Sequence, residues 1–189
     1  MMPLERDMPR PVFLSGKRVY LRPVEKDDLP LLQTWANDAE LRGLTFGVTP
    51  TSLSGMEAHL DRVRTDSDRV WFVVALKEND QVVGECGLLR MFHAWRTTEL
   101  SIIIGDKTAW GKGYGAEAVY LLLDYAFGYL NFHRAAMGVV RSNARAIQFC
   151  QKVGFKREGV ERDGYYFNHA YQDIVRMSIL EDEFRALCR

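Results

Sequence analysis

Glu99-Leu-Ser-Ile-Ile-Ile-Gly-Asp-Lys-Thr-Ala-Trp-Gly-Lys-Gly-Tyr-Gly-Ala-Glu-Ala-Val-Tyr-Leu-Leu-Leu-Asp-Tyr-Ala-Phe127 reads as strand, glycine-rich turn, helix. Residues 99–104 are rich in β-branched side chains and closed by Gly105 and Asp106, which suits a buried strand. Over residues 116–130 the apolar positions recur at three and four, with Glu117, Asp124 and Gly128 on one narrow stripe, the pattern of a helix packed on most of its surface. Between them Gly111, Gly113 and Gly115 stand at the helix N-terminus. Without Cβ atoms a backbone can approach a ligand closely, and the unpaired N–H groups and dipole of a helix start favour an anion such as a phosphate.

Two phosphate-loop patterns fail here. The P-loop needs Ser or Thr after Gly-Lys, but Gly113 follows Gly111-Lys112. The segment from Gly113 to Ala118 fits a loose dinucleotide pattern, yet the acidic ribose ligand expected about 20 residues on is missing and Arg141 stands near that point. A third pattern fits better. Trp110-Gly-Lys-Gly113-Tyr-Gly115 resembles the acyl-CoA loop of the GNAT acetyltransferases, with Trp at the usual Gln/Arg position, a variant associated with the RimJ/RimL-like and polyamine acetyltransferase branches. Asn143-Ala-Arg-Ala146, running on to Gly154-Phe155, resembles the family's Asn-x-x-Ala helix, and Tyr171-Gln-Asp173 with Met177 resembles its last strand. The resemblance spans about residues 17–180.

That resemblance implies a splayed pair of parallel strands with the pantetheine arm of acetyl-CoA lying in the gap. Ile102, Ile103 and Ile104 would pair with pantetheine. Trp110, Gly111, Lys112, Gly113, Tyr114, Gly115 and Ala116 would form the pyrophosphate turn, and Asn143 would bond to the co-substrate through its side chain. Acetyl transfer to an amine needs a proton acceptor, an oxyanion donor and a proton for the departing thiolate. Glu99 is the first choice of base: it matches a glutamate carried by many family members, and period-two counting puts it on one face with Ser101 and Ile103. The plainer alternative is a strand-end glutamate paired with Arg96. Glu85 on the preceding strand is the second choice of base. Cys150 occupies the place where many relatives carry a tyrosine that protonates the thiolate; it is read either as an acid or as a compact apolar residue facing the sulfur.

Composition narrows the alternatives. A chain of 189 residues that is 47% hydrophobic can bury a single sizeable core. Its 25 basic and 25 acidic residues balance, so no overall field draws it to nucleic acid or a membrane. Cys86, Cys150 and Cys188 have no metal-like spacing, and no CxxC or HExxH occurs, so no metal cofactor is expected. Scarce, odd-numbered cysteines and the lack of an apolar leader point to a cytoplasmic protein. A Ser/His/Asp hydrolase lacks its Gly-x-Ser-x-Gly elbow.

In chain order, residues 1–16 read as a loosely held leader, and residues 17–189 as one domain. Residues 17–22 suggest a first strand, a helix follows Asp27 or Asp28, residues 41–50 look irregular, and Thr51 or Ser52 opens a helix to Arg64. Leu44, Phe46, Met56 and His59 are candidates for an acceptor groove, or ordinary packing residues. Residues 69–76, 81–89 and 97–104 form an antiparallel meander. Residues 135–140 follow a full crossover helix and so run parallel to the strand before it. Residues 156–166 and 170–180 form a hairpin turning at Asn168-His169. The expected fold class is α/β, the GNAT fold: a mixed, mostly antiparallel sheet with a splayed parallel pair and flanking helices. The expected activity is acetyl-CoA-dependent N-acetylation of a protein N-terminus or small amine by direct attack on the thioester. Spermidine-type acetylation is the alternative, and a non-catalytic CoA-binding protein or a dinucleotide oxidoreductase the readings of other classes. A homo-oligomer, dimer or larger, is expected from family habit.

Overall fold

A computed structural model describes residues 11–188. Eight strands form one sheet in the order β1-β2-β3-β4-β5-β6-β8-β7. They are β1 (Leu14–Ser15), β2 (Val19–Pro23), β3 (Val70–Leu76), β4 (Val82–Phe92), β5 (Thr97–Ile103), β6 (Arg134–Val140), β7 (Lys156–Phe167) and β8 (Ala170–Leu180). Every pairing is antiparallel except β5 with β6. This is the mixed sheet with one parallel pair expected above.

Helices cover both faces. On one side lie α4 (Tyr114–Asp124) and α5 (Ala144–Val153), which with Leu21, Val74, Leu88, Leu100, Met177 and Ile179 build the larger core. On the other, α1 (Leu29–Asn37), α2 (Ala39–Leu44) and α3 (Leu53–Thr65) bury Leu32, Trp35, Leu41, Met56 and Leu60 against Val73. Beneath α1, Arg22 and Asp28 form a bidentate ion pair of 2.7 Å on each arm with almost no exposure. Each partner compensates a charge that burial alone would make costly.

Local chemistry explains the boundaries. Ser52 caps α3 by accepting from Gly55 N–H, and Asn143 caps α5 by accepting from Ala146 N–H. Gly154 ends α5 at φ +109°, where a Cβ would strike Leu187. Asn168 and His169 both have positive φ, as a two-residue hairpin turn requires. Four elements differ from the sequence reading. The leader lies outside the described residues as far as residue 10, but Leu14–Ser15 already pairs with Leu21 and Tyr20. Part of the stretch read as irregular is helical, because the Asp38 carboxylate accepts from the N–H groups of Glu40 and Leu41 and starts α2. The central helix stops at Asp124 and continues as a wider π-turn over Tyr125–Tyr129, and a further helix, α6 (Glu181–Leu187), closes the chain with Phe184 buried.

Candidate active site

The parallel pair comes apart. β5 and β6 are in register only at Thr97↔Arg134, Thr98↔Ala135 and Glu99↔Ala136. Beyond this fork residues 100–103 still pair with β4, and residues 137–140 still pair with β8. Two strand edges therefore face each other without pairing. Backbone donors and acceptors must find partners, and an extended ligand with amide groups can supply them as an added strand.

The glycine turn stands at the far end of this gap. Gly111 and Gly113 take φ of +77° and +84°, values that L side chains rarely adopt. Gly113 is the N-cap of α4 with no side-chain cap, so the helix's opening N–H groups lack an intrahelical partner. Gly115 lets the helix approach Ile104, its added Cβ falling 3.3 Å from Ile104 Cγ1. The turn is anchored from three sides. Trp110 Nε1 donates to Ile104 O at 2.6 Å, Arg145 lies over the Trp110 ring at 4.5 Å, and Arg18 Nη1 donates to Lys112 O at 2.9 Å. Arg18 also stacks on Tyr114 at 5.1 Å, and the Glu117 carboxylate accepts from the N–H groups of Arg18 and Val19. Neither Arg18 nor this role of Glu117 was evident from sequence: only the fold brings the start of β2 to the turn. The Lys112 side chain is exposed, and Ala116 is partly buried against the larger core.

Ile102 points into the larger core, whereas Ile103 faces the opposite side. Asn143 spends its Oδ1 on capping α5, which leaves its amide N–H groups for a ligand. The first-choice base, Glu99, sits in the last register pair before the fork. Its carboxylate is spanned by Arg90 at 3.0 Å and Arg176 at 2.9 Å. The expected alternative partner, Arg96, instead bonds Asn131 and Glu181.

Glu85 pairs with Ile103 in register, and Leu89 with Glu99, so both carboxylates lie on the face covered by α1 and α3. Their positions are four residues apart along β5, about 13 Å at the usual strand rise. Glu85 receives a 2.8 Å hydrogen bond from Trp71 Nε1, and burial pushes its carboxyl above the ordinary range despite that donor. It also lines a cavity of about 240 Å³ walled by Trp35, Leu41, Phe46, Val48 and Ile103. Of the other groove candidates, Met56 and His59 pack beneath Trp71, and Leu44 does not line the cavity.

Cys150 is 1% exposed on the core side of α5, its sulfur 3.2 Å from Met137 Sδ, and burial pushes its thiol up to about 12. Among the described residues no group of three His, Cys, Asp or Glu is placed to hold a metal ion, and no helix is long and apolar enough to cross a membrane.

Comparison with known proteins agrees with this geometry. The acetyltransferase (GNAT) domain family matches residues 18–156. An uncharacterised N-acetyltransferase, p20, of Bacillus licheniformis is 29% identical over 175 residues, covering 90% of this chain and 97% of its own. The spermidine N(1)-acetyltransferase of Escherichia coli K12 is 28% identical over 172 residues, covering 91% of each. The crystal structure of spermidine N-acetyltransferase from Vibrio cholerae in complex with CoA and spermine superimposes with a TM-score of 0.83 at 27% identity, over 89% of this chain and 98% of the other. With its forked strands, its glycine turn and a family match over most of its length, the chain belongs to the GNAT acetyltransferases.

Proposed function

We propose that the protein transfers an acetyl group from acetyl-CoA to a primary amine, and that the fork between β5 and β6 is where the two meet. The observation that carries this reading is the loss of pairing after Glu99↔Ala136, with two glycines of positive φ at the end of the same gap. The residues present fit the co-substrate. Residues 100–103 offer unpaired backbone to the pantetheine amides, and the Gly111–Ala116 turn offers a helix N-terminus to the pyrophosphate. Lys112, Arg145 and the Asn143 amide stand near the same turn.

Acetyl-CoA, when bound, supplies an activated thioester; the amine gains acetyl and loses one proton as the thiol leaves. An amine of lysine-like pKa, about 10.4, arrives protonated. Glu99, at the fork, takes that proton through water, and Arg90 and Arg176 hold its carboxylate in place. Cys150 supports packing rather than proton transfer in this reading. Burial pushes the Cys150 thiol up to about 12, so passing its proton to a thiolate of ordinary pKa, about 8.5, runs uphill.

The names of the relatives favour a polyamine as the acceptor, and the resemblance of the glycine turn admits a protein N-terminus. A cytoplasmic setting is part of the same reading, supported by three free cysteines. So is self-association: a spermidine N-acetyltransferase of similar fold is dodecameric, and Phe92, Trp95 and Tyr129 are exposed here. Light scattering measures that state. Calorimetric titration with acetyl-CoA tests the main reading, with saturable binding expected and no heat at high micromolar ligand the result that removes it.

A further inference from the structure

The carbonyl of Lys112 is held from outside the glycine turn, by Arg18 Nη1 at 2.9 Å. The Lys112–Gly113 peptide is trans, and a trans peptide points its C=O and N–H to opposite sides. A carbonyl drawn toward Arg18 therefore turns the Gly113 N–H the other way. The sheet order says which way that is. Arg18 stands just before β2, three strands from β5, so the Gly113 N–H faces away from β2, the direction in which β5 and the gap beyond it lie. It is the first of the unpaired N–H groups that open α4.

Arg18 is itself fixed. Its N–H donates to Glu117 Oε1 at 2.7 Å, and its carbonyl accepts from the Lys77 N–H at 2.9 Å. Its Nε donates to Glu117 Oε2 at 3.2 Å, and its guanidinium lies 5.1 Å from the Tyr114 ring centroid. Two glycines leave room for this arrangement: a Cβ at Gly16 would fall 2.5 Å from Glu117 Oε1, and one at Gly113 would fall 3.0 Å from Arg18 Nη2. Burial works against the Glu117 charge, but the N–H groups of Arg18 and Val19 and the guanidinium together hold its carboxyl below the ordinary range. Glu117 is thus ionised at neutral pH and balances Arg18, so the pair brings no net charge to the turn. Its contribution is direction.

We infer that Arg18 is a positioning residue for acetyl-CoA, holding the Lys112–Gly113 peptide so that the Gly113 N–H meets the pyrophosphate, with Glu117 as its brace. This rests on the acetyltransferase reading above and names the side chains that prepare its co-substrate turn. An N–H aimed before the ligand arrives needs no reordering on binding. A hydrogen bond to a charged oxygen is among the stronger ones, so losing its aim is read directly in affinity.

The test is calorimetric titration of wild type, Arg18→Gln and Arg18→Lys with acetyl-CoA, beside thermal unfolding and the amide proton shifts of each protein at saturating ligand. Wild type is expected to bind with a downfield shift at Gly113 and with shifts at residues 100–103. Arg18→Gln is expected to bind about tenfold more weakly and to lose the Gly113 shift while keeping those at residues 100–103. Its Tm should fall by only about 2–4 °C, because the Arg18 side chain is half-exposed. Arg18→Lys is expected to match Arg18→Gln within about threefold, since a point ammonium cannot hold Glu117 and the Lys112 carbonyl together as the planar fork does. Unchanged affinity in Arg18→Gln overturns the inference. So does full recovery in Arg18→Lys, which would mean a direct charge contact with the ligand, and so does an equal loss of the shifts at residues 100–103, which would mean a general loosening. In each of these cases wild type still binds acetyl-CoA and the acetyltransferase reading survives alone; if wild type does not bind, both fall.

Discussion

Replacing Gly113 with valine attacks the co-substrate turn at its tightest point. At φ +84° a residue with a Cβ costs about 1–2 kcal/mol in backbone strain, and a β-branched one sits at the upper end. The new Cβ would lie 3.0 Å from Arg18 Nη2 and displace a guanidinium whose Nη1 holds Lys112 O at 2.9 Å. Arg18 is half-exposed, so its loss adds about 1 kcal/mol rather than the full value of a charged hydrogen bond. The sum, about 2–3 kcal/mol, predicts a Tm lower by about 4–12 °C in a domain of this size and a chain that still folds. Acetyl-CoA affinity should fall further, by about a hundredfold or more, since the side chain occupies the approach to the helix N-terminus. Gly111→Ala isolates the strain in the ligand-free protein: φ is +77° there and nothing lies within 4 Å of the added Cβ, so its loss in Tm reads the backbone cost alone. Thermal unfolding and calorimetry on both variants make the comparison. A folded Gly113→Val protein that binds acetyl-CoA within threefold of wild type would refute the reasoning.

Glu99→Gln should lower kcat by roughly two orders of magnitude, the usual scale for a lost general base, while acetyl-CoA affinity stays; full activity across the pH range would return the role to Glu85 or solvent. Cys150→Ala should cost less than about tenfold in turnover with an unchanged profile between pH 6 and 9, because a thiol pushed up to about 12 does not titrate in that window; a lost high-pH limb would restore its acid role. Burial raises the Glu85 carboxyl in the folded chain, so the stability it contributes is full below its unfolded pKa and lost as pH rises through the folded one. Glu85→Gln should therefore gain Tm relative to wild type as ligand-free protein is taken from pH 4 to pH 8, and a difference that is flat or reversed would contradict the burial.

Much of the fold was legible because local signals agreed with tertiary demand. Asn143, Ser52 and Gly154 act at helix ends as their chemistry suggests, and Asn168-His169 turns the last hairpin. The glycine turn was readable because positive φ is a property of the residue itself. What escaped reading depends on distant partners. Gly43 made residues 41–50 look irregular, but the Asp38 cap outweighs it for one and a half turns. Glu117 looked like a solvent stripe, yet it ties down the start of β2 across nearly a hundred residues of chain. Glu99 and Glu85 could be put on one face by pleat counting only for the strand that carries Glu99. Their separation, the guanidiniums around one and the cavity beside the other required the register of β4 with β5 and the position of Arg176 on β8.

Amide hydrogen exchange along β5, measured with and without acetyl-CoA, tests the central claim most directly. The gap-facing amides of residues 100–103 lack β6 partners in the free protein, whereas residues 97–99 have them. The account predicts that acetyl-CoA slows exchange at residues 100–103 and at the opening amides of α4, with little change at residues 97–99. Binding that leaves residues 100–103 as fast as before would mean that the co-substrate lies elsewhere, and the fork would not be the site of acetyl transfer.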